Sequence, residues 1–323
     1  MRILYVNQDA GIDWCGYAGG ATHIQSVLRA IRRLGHTVHI LVRKLPQRPC
    51  PTDLDIPCYL QPQGVPWEQF DLVYERYSLW GELSLQHLLP WHLEINAPLI
   101  EEQMRYRTPI NVMRAAQIRD AVCRRVQRII VVSPSLSTYV TSEAQSKISV
   151  IPNCVDREVF CPKPLPRSFA FGYVGSMRPW HDLDTPLEAF VQLHQRYPAI
   201  NFHVIGSGPT ETYYREKYVN KHIHFHGLIS PDRVPILLEQ ISCGIALFKA
   251  DAPEYFSPLK IQEYISAHRT VLTNPRFVRY PDVTEGVEGM AAILNAMERQ
   301  IHMDRTGLKF PTISDWTETI TFL

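Results

Sequence analysis

The stretch RILYVNQDAGIDWCGYAGGATHIQSVLRAIRRLGHTVHILVR, residues 2–43, decides the fold class. Its first six residues, Arg2 to Asn7, form an apolar run of buried-strand length, and Thr37 to Arg43 form another. Between them Ile24, Val27, Leu28, Ile31 and Leu34 recur at helical spacing from about Ala21, and Gly35 follows as a stop at the helix end. A strand, a glycine-bearing loop, an amphipathic helix and a second strand make up the unit from which open parallel sheets are built.

The same alternation continues on the C-terminal side. Prolines cluster from Pro46 to Pro66, marking an irregular connection around a short strand at Cys58 to Leu60. Strands are expected at Leu72 to Glu75, His92 to Ile95 and Arg128 to Val132, with helical segments at Leu79 to Leu89 and Ile110 to Val126. CPKPLPR, residues 161–167, then places three prolines in seven residues and reads as a semi-rigid linker. Beyond it the pattern restarts, with strands at 169–174, 201–205, 224–226, 244–248 and 270–273 and helices at 185–197 and 211–218. Two α/β domains are therefore expected, residues 1–161 and 168–311, facing across a cleft that receives the carboxyl ends of their strands.

A chain of 323 residues is long enough for two such cores. Its 33 Lys and Arg nearly cancel its 32 Asp and Glu, so no strong field draws in nucleic acid or an anionic bilayer. The opening MRILYVNQD is too short an apolar run for a signal peptide, and no later run has the length of a membrane span. These features point to a cytoplasmic protein with at most peripheral membrane contact. The seven cysteines, an odd number without a CxxC pair, are expected to be reduced thiols.

Four segments carry candidate chemistry. In YFSPLKIQEY, residues 255–264, Ser257 is the expected N-cap and Pro258 suits the first turn of a helix whose free N–H groups at Leu259 and Lys260 would favour a diphosphate. Glu263 lies about one turn further on, where it could accept from ribose hydroxyls. GSMRPWHDLD, residues 175–184, follows a strand and offers Arg178 and His181 to phosphate oxygens. In GYAGGATH, residues 16–23, adjacent Gly19 and Gly20 let the backbone approach a ligand at a helix start. Gly206 and Gly208 form a lone GxG after a strand, which falls short of a dinucleotide fingerprint. Ordinary helix caps and surface turns would account for each segment singly. The Asp-x-Asp strings at 53–55 and 182–184 are read as loop and cap features, with Asp184 as a cap, and no metal site is expected.

Taken in order, GGATH (19–23), YERYS (74–78), LEINAPLIEEQMRYR (93–107), VVSPSL (131–136), ISVIPNCVDREVFCP (148–162), YVGSMRPWHD (173–182), VIGSGP (204–209), IHFHGLIS (223–230) and SPLKIQEYIS (257–266) resemble retaining glycosyltransferase family four, of the GT-B fold. The resemblance implies two Rossmann-like domains facing across a cleft, and metal-independent transfer of a sugar from a nucleoside-diphosphate donor, a UDP- or GDP-sugar, to a hydroxyl. The acceptor would be a glycan, lipid or natural product. No other cofactor and no nucleic-acid partner are implied. The base would lie against Phe225, Gly227 and Leu228, the ribose against Glu263, and the diphosphate against Ser257, Pro258, Leu259, Lys260, Arg178 and His181. Gly19, Gly20 and His23 would stand near the reacting centre, with Gly206 behind the phosphates. The terminal SDWTETITFL resembles a helix, 314–323, that crosses back to the first domain.

The sequence also departs from the family pattern. Tyr255 stands where many members have a glutamate, Ser176 and His181 take the arginine and lysine places of the phosphate loop, and Asn96 replaces a frequent histidine. The stretch between Pro275 and Trp316 is shorter than usual. These departures keep open a second reading, a non-catalytic sugar-nucleotide-binding partner of another transferase.

Overall fold

The structure is a computed structural model that describes residues 1–106, 110–255 and 257–323. Arg107, the last residue of the LEINAPLIEEQMRYR stretch, and Phe256 of YFSPLKIQEY lie outside the described residues. The first half runs β1 (Arg2–Asn7), α1 (Gly19–Arg33), β2 (Thr37–Val42), β3 (Cys58–Tyr59), β4 (Leu72–Arg76), α2 (Leu83–Gln86), β5 (Trp91–Ile95), α3 (Leu99–Tyr106), α4 (Val112–Arg125), β6 (Arg128–Val131) and β7 (Ile148–Val150). The second runs β8 (Ala170–Val174), α5 (Asp184–Arg196), β9 (Asn201–Ile205), α6 (Glu211–Lys217), β10 (Ile223–Gly227), α7 (Val234–Leu238), β11 (Cys243–Ala246), α8 (Leu259–Ser266), β12 (Thr270–Thr273), β13 (Thr284–Gly286) and α9 (Met290–His302). A last helix, α10, spans Trp316–Thr319.

The strands make two separate sheets, ordered β3-β2-β1-β4-β5-β6-β7 and β10-β9-β8-β11-β12-β13, and every pairing is parallel. In each sheet the order reverses beside the first strand of the half, between β1 and β4 and between β8 and β11. Open α/β sheets hold ligands at that reversal, outside the carboxyl ends.

Both faces of each sheet are buried, which is why the strands read as nearly continuous apolar runs. Along β1, Leu4 and Val6 enter one apolar cluster while Ile3 and Tyr5 enter the cluster under α1. Along β8 and β11, Phe171, Tyr173 and Ile245 face α5 and α9, and Val174 and Ala246 face α8. Gly35 ends α1 at φ +81°, a left-handed conformation that glycine adopts without a Cβ clash.

Several elements differ from expectation. The helix expected over Leu79 to Leu89 is one turn, because Gly81 and Pro90 bound it closely. The structure adds α3, β7, β13 and α9, so the short stretch after Pro275 still supplies a strand and a helix. α10 carries a capping box between Asp315 and Glu318, and its Trp316 and Ile320 bury among side chains of α1 and β1.

Candidate functional site

A cleft of about 1270 Å³ separates the carboxyl ends of the two sheets. Gly19, Gly20 and His23 at the start of α1 line one wall; Ser176, Arg178 and His181 after β8, with Ser257 to Lys260 and Glu263 at α8, line the other. That volume exceeds the usual range for a single small ligand.

The second wall is built around the mouth of α8. Ser257 is not its N-cap: the helix begins at Leu259, Pro258 occupies the cap position, and no side chain caps it. Ser257 is engaged elsewhere, its Oγ accepting from Asn153 N at 2.9 Å and its carbonyl from Asn153 Nδ2 at 2.7 Å. Ile261 N donates to the Pro258 carbonyl at 3.3 Å, while the N–H groups of Leu259 and Lys260 precede any helical carbonyl they could reach, so this end retains a partial positive charge toward the cleft.

Lys260 lies 9% exposed, and among the described residues its Nζ has no hydrogen-bond partner. It rests 4.1 Å from the centre of the Tyr173 ring, and burial lowers its pKa to about 7, opposed only in part by Glu263. Burial in turn raises Glu263 to about 7 against the pull of Lys260. Gly175, at φ +140°, leaves room for this lysine; a Cβ there would fall 2.9 Å from Nζ.

His181 Nδ1 stands 2.6 Å from the Ser176 carbonyl and 2.8 Å from the Tyr173 hydroxyl. A carbonyl only accepts, so Nδ1 carries the proton and Nε2 is left as an acceptor. Burial, then Lys260, then Arg178 push the imidazole down to about 2, against the Ser176 hydrogen bond. His181 is therefore neutral here, and the cause is desolvation beside two cations.

On the first-domain wall a histidine and a carboxylate stand in direct contact. His23 Nε2 makes an ion contact of 2.8 Å with Glu94 Oε1, His23 Nδ1 lies 3.0 Å from Asn153 Oδ1, and the ring meets Trp316 edge-on at 4.8 Å. Burial would raise Glu94, but His23, Arg76 and Asn96 together outweigh it and hold the carboxylate below its ordinary value. Toward the cleft, Gln8 Nε2, Arg76 Nη1, Ser78 Oγ and Asn96 Oδ1 are buried without hydrogen-bond partners among the described residues. Tyr255 packs on the first-domain core, and its hydroxyl donates to Glu102 of α3.

Three of the expected site residues do not line the cleft. Phe225 packs into the second core beneath Arg215, Gly227 accepts from Gly206 N at 2.8 Å, and a Cβ on Gly206 would fall 2.1 Å from the Gly175 carbonyl. Gly206 thus lets two strand-end loops meet. Leu228 does reach the cleft. Asp184 is the first residue of α5 rather than its cap: Leu183 takes the cap position, Asp182 before it accepts from Thr185 N at 3.1 Å, Asp184 meets Lys217 at 2.8 Å, and Asp53 pairs with Arg29. Among the described residues no three His, Cys, Asp or Glu side chains are placed to hold a metal ion.

The expectation of reduced cysteines is overturned. Cys15 and Cys50 form a disulfide, joining the loop before α1 to the proline-rich connection across a separation of 35 residues. Irregular loops brought them together, so no short-range spacing announced the pair. Asn153, Glu94 and Trp316 escape sequence reasoning as site residues for the same reason: their partners lie on distant elements.

Two parallel α/β domains with their strand ends facing across one cleft define the GT-B fold of glycosyltransferases. Residues 168–301 match the family profile described as Glycosyl transferases group 1, so the second half of the chain carries a domain of that enzyme class. No curated protein matches the chain in sequence. Sucrose-phosphate synthase from Thermosynechococcus elongatus superposes with a TM-score of 0.66 at 16% identity, covering 99% of this chain and 92% of its own. HepE of Anabaena, solved in complex with UDP-glucose, gives 0.65 at 14% identity over 99% and 93%. A glycosyltransferase from Rickettsia africae gives 0.64 at 14% identity over 99% and 90%. At such identities the likeness is one of fold. Among the described residues no helix is long and apolar enough to cross a membrane.

Proposed function

We propose that the protein transfers a sugar from a nucleoside-diphosphate donor to a hydroxyl acceptor with retention at the anomeric carbon and without a metal. The observation that carries this reading is Lys260, a buried ammonium with no hydrogen-bond partner among the described residues, set at the cleft-facing end of α8. Burying a charge unpaired is costly, and a diphosphate supplies what the site lacks.

In this reading residues 168–311 hold the donor and residues 1–161 the acceptor, with 314–323 tying the two. Lys260, Arg178, His181 and the first-turn N–H groups of Leu259 and Lys260 receive the charge that grows on the leaving diphosphate. Preorganised donors of this kind cost no reorganisation at the moment of reaction, and in most enzymes they lower the barrier more than any other single effect. The C1–O bond to phosphate breaks, the acceptor oxygen bonds C1 on the same face, and its proton passes to the departing phosphate oxygen. Ser257 and Pro258 seat the helix end, Glu263 accepts from ribose, and Leu228 borders the base. Gly19 and Gly20 leave backbone room opposite. The unpartnered Gln8, Arg76, Ser78 and Asn96 suit a polyhydroxylated acceptor. HepE, bound to UDP-glucose in the same fold, favours a UDP-sugar over a GDP-sugar.

A second reading, a non-catalytic sugar-nucleotide-binding partner, is favoured by Tyr255, which bonds across to Glu102. Incubation with UDP- and GDP-sugars, with and without candidate acceptors, separates the two. Released nucleotide in stoichiometric excess supports catalysis; binding with no turnover in any arm supports the partner role.

A further inference from the structure

Asn153 touches both walls of the cleft. It follows β7 on the segment leading out of the first sheet, and its own side chain lines the cleft. Its backbone N–H and its Nδ2 both donate to Ser257, at 2.9 and 2.7 Å. Its Oδ1 faces His23 Nδ1 at 3.0 Å. The amide has one orientation available, because turning it would set Oδ1 against the Ser257 carbonyl, two acceptors face to face.

With Oδ1 toward His23, Nδ1 must carry a proton. Nε2 lies 2.8 Å from the Glu94 carboxylate, which is fully buried, and needs a proton as well. A proton on each ring nitrogen would suit both neighbouring oxygens, and Trp316 of α10 closes the ring's edge. Such a histidine orients its neighbours; it does not shuttle a proton.

We infer that Asn153 is a positioning residue, one amide that holds His23 in its charged form on the first domain and seats the phosphate-facing mouth of α8 on the second. Closure of the cleft and formation of the anion site are thereby one event. Tyr255 bonding to Glu102 ties the same segment a second time, two residues before Ser257. The part of this inference that concerns nucleotide rests on the reading proposed above; the part that concerns the mouth of α8 does not.

The test compares the full chain with Asn153→Asp and Asn153→Ala. Aspartate keeps an acceptor for His23 but points a carboxylate oxygen at the Ser257 carbonyl, whereas alanine removes both side-chain links. Hydrogen–deuterium exchange without ligand should rise about tenfold at residues 263–266, whose amides bond back to the first turn of α8, in both variants and stay unchanged over β1 and α1, as loss of one or two hydrogen bonds implies. The nitrogen-15 spectrum of His23, assigned by its absence in His23→Gln, should show both ring nitrogens protonated in wild type and Asn153→Asp, and should change in Asn153→Ala. UDP or GDP, whichever wild type binds, should bind about tenfold more weakly to Asn153→Asp. Unchanged exchange at 263–266 in both variants overturns the inference, as does a neutral His23 in wild type. Uniformly faster exchange across the chain also overturns it, since that signals a merely structural role. Should wild type bind neither nucleotide, the transferase reading fails while exchange and the His23 spectrum still decide the role of Asn153.

Discussion

The two walls of the cleft bury charge in opposite ways. On the first-domain wall His23 and Glu94 are buried together in an ion contact, with Asn153 and Trp316 filling the remaining sides. On the second, Lys260 is buried against aromatic faces with no hydrogen-bond partner among the described residues, and His181 is held neutral beside it. A paired buried charge is costly to break, whereas an unpaired one gains from an anion brought beside it. The contrast assigns different work to residues that look alike in sequence, since His23 and His181 both face one cleft.

Removing one member of the buried pair puts the contrast to its hardest test. Glu94→Ala removes one partner of a buried pair and should destabilise the protein by about 3–5 kcal/mol, read from urea unfolding. A loss below about 1 kcal/mol would show that the first wall is not charge-paired.

Lys260→Ala should do the reverse. Turnover of the donor should fall by about 10²–10³ as a charge-stabilising donor is lost, while the melting temperature holds or rises because a buried ammonium without a hydrogen-bond partner among the described residues has gone. Equal loss of stability and activity would mean that Lys260 belongs to the framework.

Reduction probes the first wall from behind. Cys15 and Cys50 pin the loop beneath α1, so Cys15→Ser or reductant should lower stability by about 2–4 kcal/mol, the amount expected for a loop of this size. The second domain should lose little, and a melting curve split by domain would show it.

A pH slope gives the most modest effect. Burial puts Lys260 at about 7 in the empty site, and a bound diphosphate favours its charged form, so its pKa rises on binding. Below that value the ammonium exists before and after binding, and affinity is level. Above it binding must take up a proton, so nucleotide affinity should fall with rising pH, by at most about tenfold per unit, until the bound-state value is reached. Calorimetry from about pH 6 to 9 gives the slope, and Lys260→Arg should flatten it (arginine stays charged throughout; about 12 or higher for its own pKa). A level wild-type profile would place Lys260 away from the phosphates.

Much of this molecule was legible along the chain. The apolar run Arg2 to Asn7, the helical period from Ile24 to Leu34, and the restart at Phe169 after CPKPLPR expose the two parallel sheets, because side-chain periodicity records which face each element buries. SPLK marks a helix mouth for a related reason: proline cannot donate and suits a helix start. The partnership of that mouth was not legible. Ser257 resembles an N-cap, yet its hydroxyl accepts from Asn153, some hundred residues upstream.

The local grammar is written in the chain: strands, helices, the break between halves, and most of the strand-end residues that line the cleft. Charge state and partnership came only with the folded arrangement. Cys15 found Cys50, His23 found Glu94, and Lys260 was left without a hydrogen-bond partner among the described residues. Backbone propensity acts over a few residues and leaves a periodic trace. Desolvation and pairing depend on which distant surfaces meet, and no spacing in the chain records that.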